Sequence, residues 1–589
     1  MDCHALAVSR RHDLQLSVFA QAQTVSTLLG NGAGRRKAAR LLRASGITKV
    51  YLDVYRGYFT PEETLRSARD YLRGQGFDVA GGITTVAGPG CGKASTRSPW
   101  LCWSAAESQE VICRAAALAG RLFDEIIIDD FLCTACRCSE CAAARGQRDW
   151  GEFYRGQLAE LAQRLIIAPA KRANPKVEVI IKYPQWYDRF HSFGYDVLKH
   201  PRRFDRVAAG TETRDPEVEW VQPTQGYVNY RWLHSIAGER MGGAWFDRIN
   251  TCPETYLQQA YQSVLAGARE LILFDYRHEF FAPDAPHMVM LLEHFERLCD
   301  LARAVAGRQP VGVHACKPRD SDGGEEAWVF DYLAMFGIPV IPCSRFPHSA
   351  RSAVLTAHAA HDPGLQEGLR RLLDRGATVL LTAGVLERLH ERGLLAAFGY
   401  GGEPTARDER WSHFFRVGDR QVRASGYVRL RRALRPQHAE TLAAAMVGDC
   451  AAPMLTRRDD GEAARLALVA DTMRYEPDST RVTTGEPVSL IDLPDAVVNA
   501  LRAPLLAPLG ITLEMPPRVS FHPFAGGPLV FENFGRRPAR LRLALAARQW
   551  GRVTALTNIF TRGRLRPDAS GVFEFTLAPQ EVAGLRLIA

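Results

Sequence analysis

The sequence has no uninterrupted run of about 18 apolar residues, so nothing in it reads as a membrane-spanning helix. Its opening, MDCHALAVSRRHDLQLSVFA, lacks the unbroken apolar core of a secretory signal, so cytoplasmic residence is expected. It also lacks a dense basic face. The 74 lysines and arginines exceed the 65 acids by only nine across 589 residues, which argues against a nucleic-acid partner. No G-x-G-x-x-G follows the first apolar segment, which removes the usual dinucleotide fingerprint, and no organic cofactor is expected. Thirteen cysteines, an odd count in a long chain, argue against a disulfide scaffold.

What is present is a globular composition, 46% hydrophobic and 24% charged, too long for a single core. The first half alternates short apolar strands with longer amphipathic segments. Strands are expected at 14–20, 49–55, 77–84, 126–128, 177–184, 204–212, 242–247 and 270–276. Helices are expected between them. Thr60-Pro61-Glu62-Glu63 reads as a helix start with a Thr N-cap, and the helix from 150 is expected to stop at Pro169. Eight strands alternating with helices over this length predict a (β/α)8 barrel, with an open doubly wound sheet as the alternative.

The most informative stretch is FDEIIIDDFLCTACRCSEC, from Phe123 to Cys141. Its β-branched run, Ile126 to Ile128, reads as a buried parallel strand ending on Asp129 and Asp130. Barrels place their chemistry at such strand ends. The other strand ends offer Asp53, Tyr55 and Arg56; Lys182, Tyr183, Trp186 and Tyr187; Glu212 and Arg214; Trp245 and Asp247; and Asp275, Arg277 and His278. Aromatic faces stack on sugar rings and charged groups bind hydroxyls, so Tyr55, Arg56, Lys182, Trp186, Trp245, Asp275, Arg277 and His278 are read as substrate contacts. Two carboxylates can divide the work of glycoside cleavage, with retention at about 5 Å separation and inversion at a wider one. Strand side chains alternate, so one of Asp129 and Asp130 is expected to face away from the barrel interior. Each residue also has an ordinary reading, as a cap, an ion pair or core packing.

The same stretch ends in C-x2-C-x-C-x2-C. Cys133, Cys136, Cys138 and Cys141 are read as candidate ligands of one structural zinc, with an outside thiol such as Cys91 or Cys102 as a replacement for one of them. Reduced thiols with no metal are the alternative. A four-thiolate site leaves no open position, so a catalytic metal is not expected.

Residues from about 308 start a second α/β unit, with strands around 310–318, 336–347, 352–358 and 376–384 and a helix at 362–375. This reads as a doubly wound, amidotransferase-like sheet, but Cys343 lacks a G-x-C-x-G frame, so assembly is expected rather than catalysis. VSLIDLP, 488–494, is read as a further strand, and the chain ends in short alternating strands of a small antiparallel β domain. The expected domains are 1–305, 306–515 and 516–589.

In this order of domains the chain resembles the beta-galactosidases of glycoside hydrolase family 42. The likeness is carried by IIIDDF with its cysteine cluster, by FGIPVIPCSRFPHSARSAVLTAHAAHDPGLQEGLRRLLDRGATVLLTAG and by LVFENFGRRP. It implies a middle domain that makes trimer contacts, hence a homo-oligomer (dimer or trimer), and a zinc-holding cysteine cluster. That family uses a Glu after strand four and another after strand seven; this chain has Asp129-Asp130 and Asp247 there. The alpha-galactosidase clan is similar in a different way, with an Asp nucleophile after strand four and an acid after strand six. Asp130 as nucleophile and Glu212 as proton donor fit that placement, and Asp129 with Asp247 is the second pair. The expected function is glycoside hydrolysis of a small or oligomeric sugar. The alternatives are an idle carbohydrate-binding or assembly barrel, and a sugar-acid lyase or isomerase with Lys182 or His278 as base and Arg56 or Arg277 as clamp.

Overall fold

The computed structural model describes residues 3–129, 131–215, 221–396, 410–430, 438–448, 450–474 and 490–589, with short pieces at 400–401, 435–436 and 486–487. The chain divides into two compact units, residues 1–221 with 225–303, and residues 222–224 with 304–589.

The first unit is a closed eight-stranded parallel barrel. Its strands are β1 Gln15–Ala20, β2 Lys49–Arg56, β3 Asp78–Thr84, β4 Glu125–Ile128, β5 Glu178–Tyr183, β6 Arg206–Gly210, β7 Met241–Asp247 and β8 Glu270–Phe274. β1 pairs with both β2 and β8, which closes the ring. The apolar segments become strands because both faces are covered, one by helices and one by the barrel's own interior. The interior holds Phe19, Tyr51, Ala80, Ile127, Ile180, Ala208, Trp245 and Ile272. Large rings alternate with small residues, and each fully buried large apolar side chain stabilises by about 1.5–3 kcal/mol. A Cβ at Gly82 in β3 would lie 2.4 Å from the Phe19 ring, so a glycine is needed there for the ring to fit.

The N-terminal end of the barrel is closed by a polar network. Lys49 Nζ reaches Glu125 at 2.6 Å and Glu270 at 3.0 Å, and the Tyr51 hydroxyl donates toward both at 2.9 Å. Ser17 donates to Glu270 at 2.5 Å, and Arg206 pairs with Glu125 and Glu178. Burial opposes charge on Glu125, but Lys49 and Arg206 outweigh it and hold its carboxyl below the ordinary value.

Two local expectations change. The helix after β2 runs Glu62–Gly74 with Pro61 in the cap position; Thr60 instead donates its hydroxyl to the Asp53 carbonyl at 2.7 Å. The helix from Trp150 does not stop at Pro169. A π-helical stretch, Ala162–Ile167, leads into Ala168–Ala173, so the hydrogen-bond ladder shifts register just where proline has no N–H to give.

The second unit contains a nine-stranded mixed sheet. β9 Val313–Cys316, β10 Val340–Cys343, β11 Ser352–Leu355 and β12 Thr378–Thr382 are parallel in the order β10-β9-β11-β12, continued by parallel Ala463–Leu468. The strands Cys450–Asp460, Glu440–Val447, Arg410–Val417 and Arg420–Leu430 extend it antiparallel. So the parallel part is one side of a sheet whose other side is antiparallel. Within the 488–494 segment, Leu490–Asp492 forms a 3-10 turn rather than a strand, and 488–489 lie outside the described residues. At the C-terminal edge of the parallel part, Glu326 accepts from Ala357 N, Thr382 Oγ1 and Gly384 N at 2.8, 2.5 and 2.5 Å. The anion-attracting start of the helix Ala383–Glu391 is thus filled by the chain's own carboxylate. The chain ends in antiparallel sheets of three and five strands, as the alternating C-terminal pattern predicts. Among the described residues no helix is long and apolar enough to cross a membrane.

Candidate active site

The strand period of two sends Asp53 from β2, Thr84 from β3 and Asp129 just past β4 toward one another at the C-terminal mouth. Arg56 joins them: its Nε donates to Asp53 Oδ2 at 3.0 Å and one terminal nitrogen to Asp129 Oδ2 at 2.5 Å. The Thr84 hydroxyl lies 3.2 Å from the same oxygen of each acid, and its single proton serves one at a time. Asp129 thus joins Asp53 and Thr84 at the mouth through Arg56. Asp130 lies outside the described residues. Burial drives the Asp53 carboxyl up to about 7; Arg56 offsets this only partly, and the charge of Asp129 adds to it.

A second group stands on β5 to β7. The Lys182 ammonium donates to Glu212 Oε1 at 2.7 Å, both side chains being almost wholly buried, and lies 5.1 Å from the Trp245 ring centre. Arg214 forks onto Asp247, at 2.8 Å to Oδ1 and 3.2 Å to Oδ2, and Ile249 N donates to Oδ1 at 2.8 Å. Burial raises the Asp247 carboxyl to about 6; Arg214 opposes this and the charge of Glu212 reinforces it. Among the described residues, the buried Glu212 Oε2 has no hydrogen-bond partner. It packs over Gly210, where a Cβ would come within 2.3 Å of it and 2.8 Å of the Pro184–Gln185 backbone. Only glycine lets the Glu212 carboxylate occupy that place.

The other predicted contacts divide. Trp245 is in the barrel interior, stacked on Phe274 at 5.5 Å. Arg277 pairs with Asp275 at 2.9 Å beside β8. His278 packs against Tyr276, and burial lowers its pKa. Tyr55 faces outward from the interior and donates to the carbonyls of Val86 and Cys91 at 2.8 and 3.0 Å, so it secures a loop. Trp186 is buried among Trp100, Phe190, Phe193 and Tyr195, with Tyr183 beside Phe190 and Tyr195. Tyr187 is buried against Trp232. Lys182 is engaged with Glu212. Thr84 was not among the expected contacts; the end of the third strand was the place to look.

The thiols that converge are Cys102, Cys136, Cys138 and Cys141, whose sulfurs all lie within 4.8 Å of one another. Cys133, in the expected set, stands outside this group, and Cys102 takes its place. The reason is geometric: the loop runs past Cys133, whose carbonyl accepts from the Trp103 indole at 3.0 Å, before it turns toward Cys102. Cys102 Sγ is 3.7 Å from Cys138 Sγ and 3.6 Å from Cys141 Sγ. The edge of a tetrahedral zinc–thiolate site is about 3.8 Å, from Zn–S bonds of about 2.3 Å, so the donor set fits such an ion. Its bond to Cys141, then burial, raise the Cys102 thiol well above the ordinary value, which a cation would reverse.

Residues 4–286, just under half of the chain, match the family described as "Probable glycosyl hydrolase, catalytic domain". Residues 309–412 match "Uncharacterized protein SSO3021, second domain". The chain is 22% identical over 417 residues to Uncharacterized protein SSO3021 of Saccharolobus solfataricus, covering 64% of this chain and 67% of that one. In fold it is similar to alpha-L-fucosidase isoenzyme 2 from Paenibacillus thiaminolyticus, with TM-score 0.65 and 12% identity over 98% of this chain and 99% of that one.

Proposed function

We propose that the protein is a glycoside hydrolase that cleaves a small or oligomeric carbohydrate with a carboxylate after β4 and Glu212 after β6. The observation that carries this is Glu212 Oε2, a buried oxygen at the mouth with no partner among the described residues, beside a second oxygen fixed by Lys182. A buried acceptor is costly to leave unpaired, and a glycosidic oxygen or sugar hydroxyl would satisfy it. Glu212 is read as proton donor and then base. Asp130, adjacent to the Arg56-bound Asp129, is read as nucleophile, with Asp129 orienting Arg56 toward the sugar. Asp247 steers Arg214.

A panel of aryl glycosides tests this, including an aryl alpha-L-fucoside for the fold neighbour and an aryl beta-galactoside for the family 42 likeness. Hydrolysis of at least one, lost in Asp130→Asn and Glu212→Gln, is expected. No turnover of any member would sink the reading. One observation favours a second assignment, Asp129 with Asp247, because a carboxyl at about 6 holds a proton at mildly acidic pH. Loss of a proton donor hurts poor leaving groups most. Whichever of Glu212→Gln and Asp247→Asn selectively impairs substrates with poor leaving groups identifies the donor.

We further propose that Cys102, Cys136, Cys138 and Cys141 hold one structural zinc, which would clamp the loop after β4 and take no part in the chemistry. Metal analysis should give one zinc per chain, lost in Cys102→Ser and kept in Cys133→Ser. The family 42 likeness also carries the expectation of a homo-oligomer through residues 306–515. Light scattering on the purified chain tests this, and a monomer rejects it.

A further inference from the structure

Beside the carboxylate mouth, between the ends of β7 and β8 and the helices that follow them, lies a cavity of about 220 Å³. Its walls are mostly apolar: Tyr256, Phe274, Phe280, Pro286 and Met288. Phe274 is shared with the mouth, since its ring stacks on Trp245 and lies 5.4 Å from the Arg56 guanidinium. The next wall residue is Arg248, immediately after the candidate Asp247. Its guanidinium lies over the Phe280 ring. Among the described residues it has no hydrogen-bond or ion-pair partner, and its Nε is buried. Burial lowers its pKa, and the charges of Asp275, Asp247 and Glu279 oppose this only in part. Of the acids nearby, Asp275 is held by Arg277, Asp247 by Arg214, and Glu279 is exposed at the rim, and among the described residues none forms an ion pair with Arg248.

The polar mouth suits a sugar ring. The cavity next to it suits the opposite kind of group, flat and apolar with a negatively charged end. We propose that it is the leaving-group subsite of the barrel, and that it receives an aromatic aglycone bearing a carboxylate, with the ring against Phe280 and Phe274 and the carboxylate on Arg248. A guanidinium offers the planar pair of donors that a carboxylate matches. This deepens the glycosidase reading and rests on it for the word leaving-group, but the binding claim stands on the cavity alone.

Two measurements on the full chain separate the two. The first is calorimetric titration with 4-hydroxybenzoate and with neutral 4-hydroxybenzyl alcohol. The acid should bind about tenfold tighter than the alcohol. That preference should vanish in Arg248→Met and survive in part in Arg248→Lys, while Phe280→Ala should weaken both ligands. The second is kcat/KM for 4-carboxyphenyl and phenyl glycosides of one accepted sugar, whose ratio should fall about tenfold in Arg248→Met. Acid binding that depends on Arg248, without hydrolysis of any glycoside, keeps the subsite and rejects the glycosidase. Hydrolysis with no carboxylate preference, or with one indifferent to Arg248→Met, keeps the glycosidase and overturns the subsite.

Discussion

At the N-terminal end of the barrel, Glu125 and Glu270 share Lys49, Tyr51 and Ser17, with Arg206 added on Glu125. At the C-terminal end, Asp53 and Asp129 share one arginine, and among the described residues Glu212 keeps one oxygen without a hydrogen-bond partner. The same residue types are buried on the same strands, yet the pKa shifts run in opposite directions. Glu125 is held below its ordinary value, whereas Asp53 rises to about 7 and Asp247 to about 6. Burial pushes all three upward; on Glu125 the two cations Lys49 and Arg206 outweigh it, whereas on Asp53 and on Asp247 a single arginine does not. The first end holds its acids with Lys49, Arg206, Tyr51 and Ser17, which is what stability needs. The other is left short, which a site that must accept an external hydroxyl or proton needs.

The largest effect that would break this contrast is on turnover. Glu212→Gln should lower kcat/KM on the accepted glycoside by at least about 10³-fold, roughly 4 kcal/mol of transition-state stabilisation, with the circular dichroism of a folded barrel retained. Lys49→Met should do the reverse: a loss of about 3–5 kcal/mol in denaturant unfolding, because it strands two buried acids, with kcat of the folded fraction within a fewfold of wild type. Equal activity losses in both variants would erase the distinction between the two ends.

Smaller effects sharpen it. Asp53 titrates higher in the folded chain than in the unfolded one, so the folded chain keeps a proton that the unfolded chain releases between about 4 and about 7. Its contribution therefore makes stability fall as pH rises through that window, by at most about 1.4 kcal/mol per pH unit, and Asp53→Asn should remove the slope. Glu125 carries the opposite sign. Its contribution is present above its ordinary value and is lost as the pH falls below it. Unfolding free energies from pH 3 to 8 for wild type, Asp53→Asn and Glu125→Gln check both slopes. The smallest expected effect is that of Gly210→Ala, which pushes on Glu212 Oε2 and the Pro184–Gln185 backbone. A roughly tenfold drop in kcat/KM with an intact fold is expected, and a variant as active as wild type would remove the argument from close approach.

Much of the barrel was legible in advance. Uninterrupted runs such as Ile126 to Ile128 and the alternation of strand and helix signals placed all eight strands to within a few residues, because parallel strands buried on both faces leave a local mark in sequence. Pro169 misled, since a proline at the end of a helical run ordinarily stops it and nothing local announces a π-helical turn. At the site, the acids were visible from their positions at strand ends, but their partners were not. Arg56 with Asp129 spans 73 positions and Lys182 with Glu212 spans 30. Tyr55 and Trp186 illustrate the same gap, because the step from strand end to loop decides whether a ring faces the mouth or packs behind it. Cys102 for Cys133 is a further case, since spacing favoured the sequence neighbour over the thiol brought in by another loop.

By itself, then, the sequence determined the barrel, the residue types at its mouth and the presence of a thiol-rich loop, all of which follow from short-range pattern. Tertiary structure alone decided which acids are neutralised and which are left wanting, which four sulfurs meet, and that Arg248 lies over the Phe280 ring. Those outcomes depend on distances between residues far apart in the chain and on how much water the fold removes from around them, and neither is encoded in any local stretch.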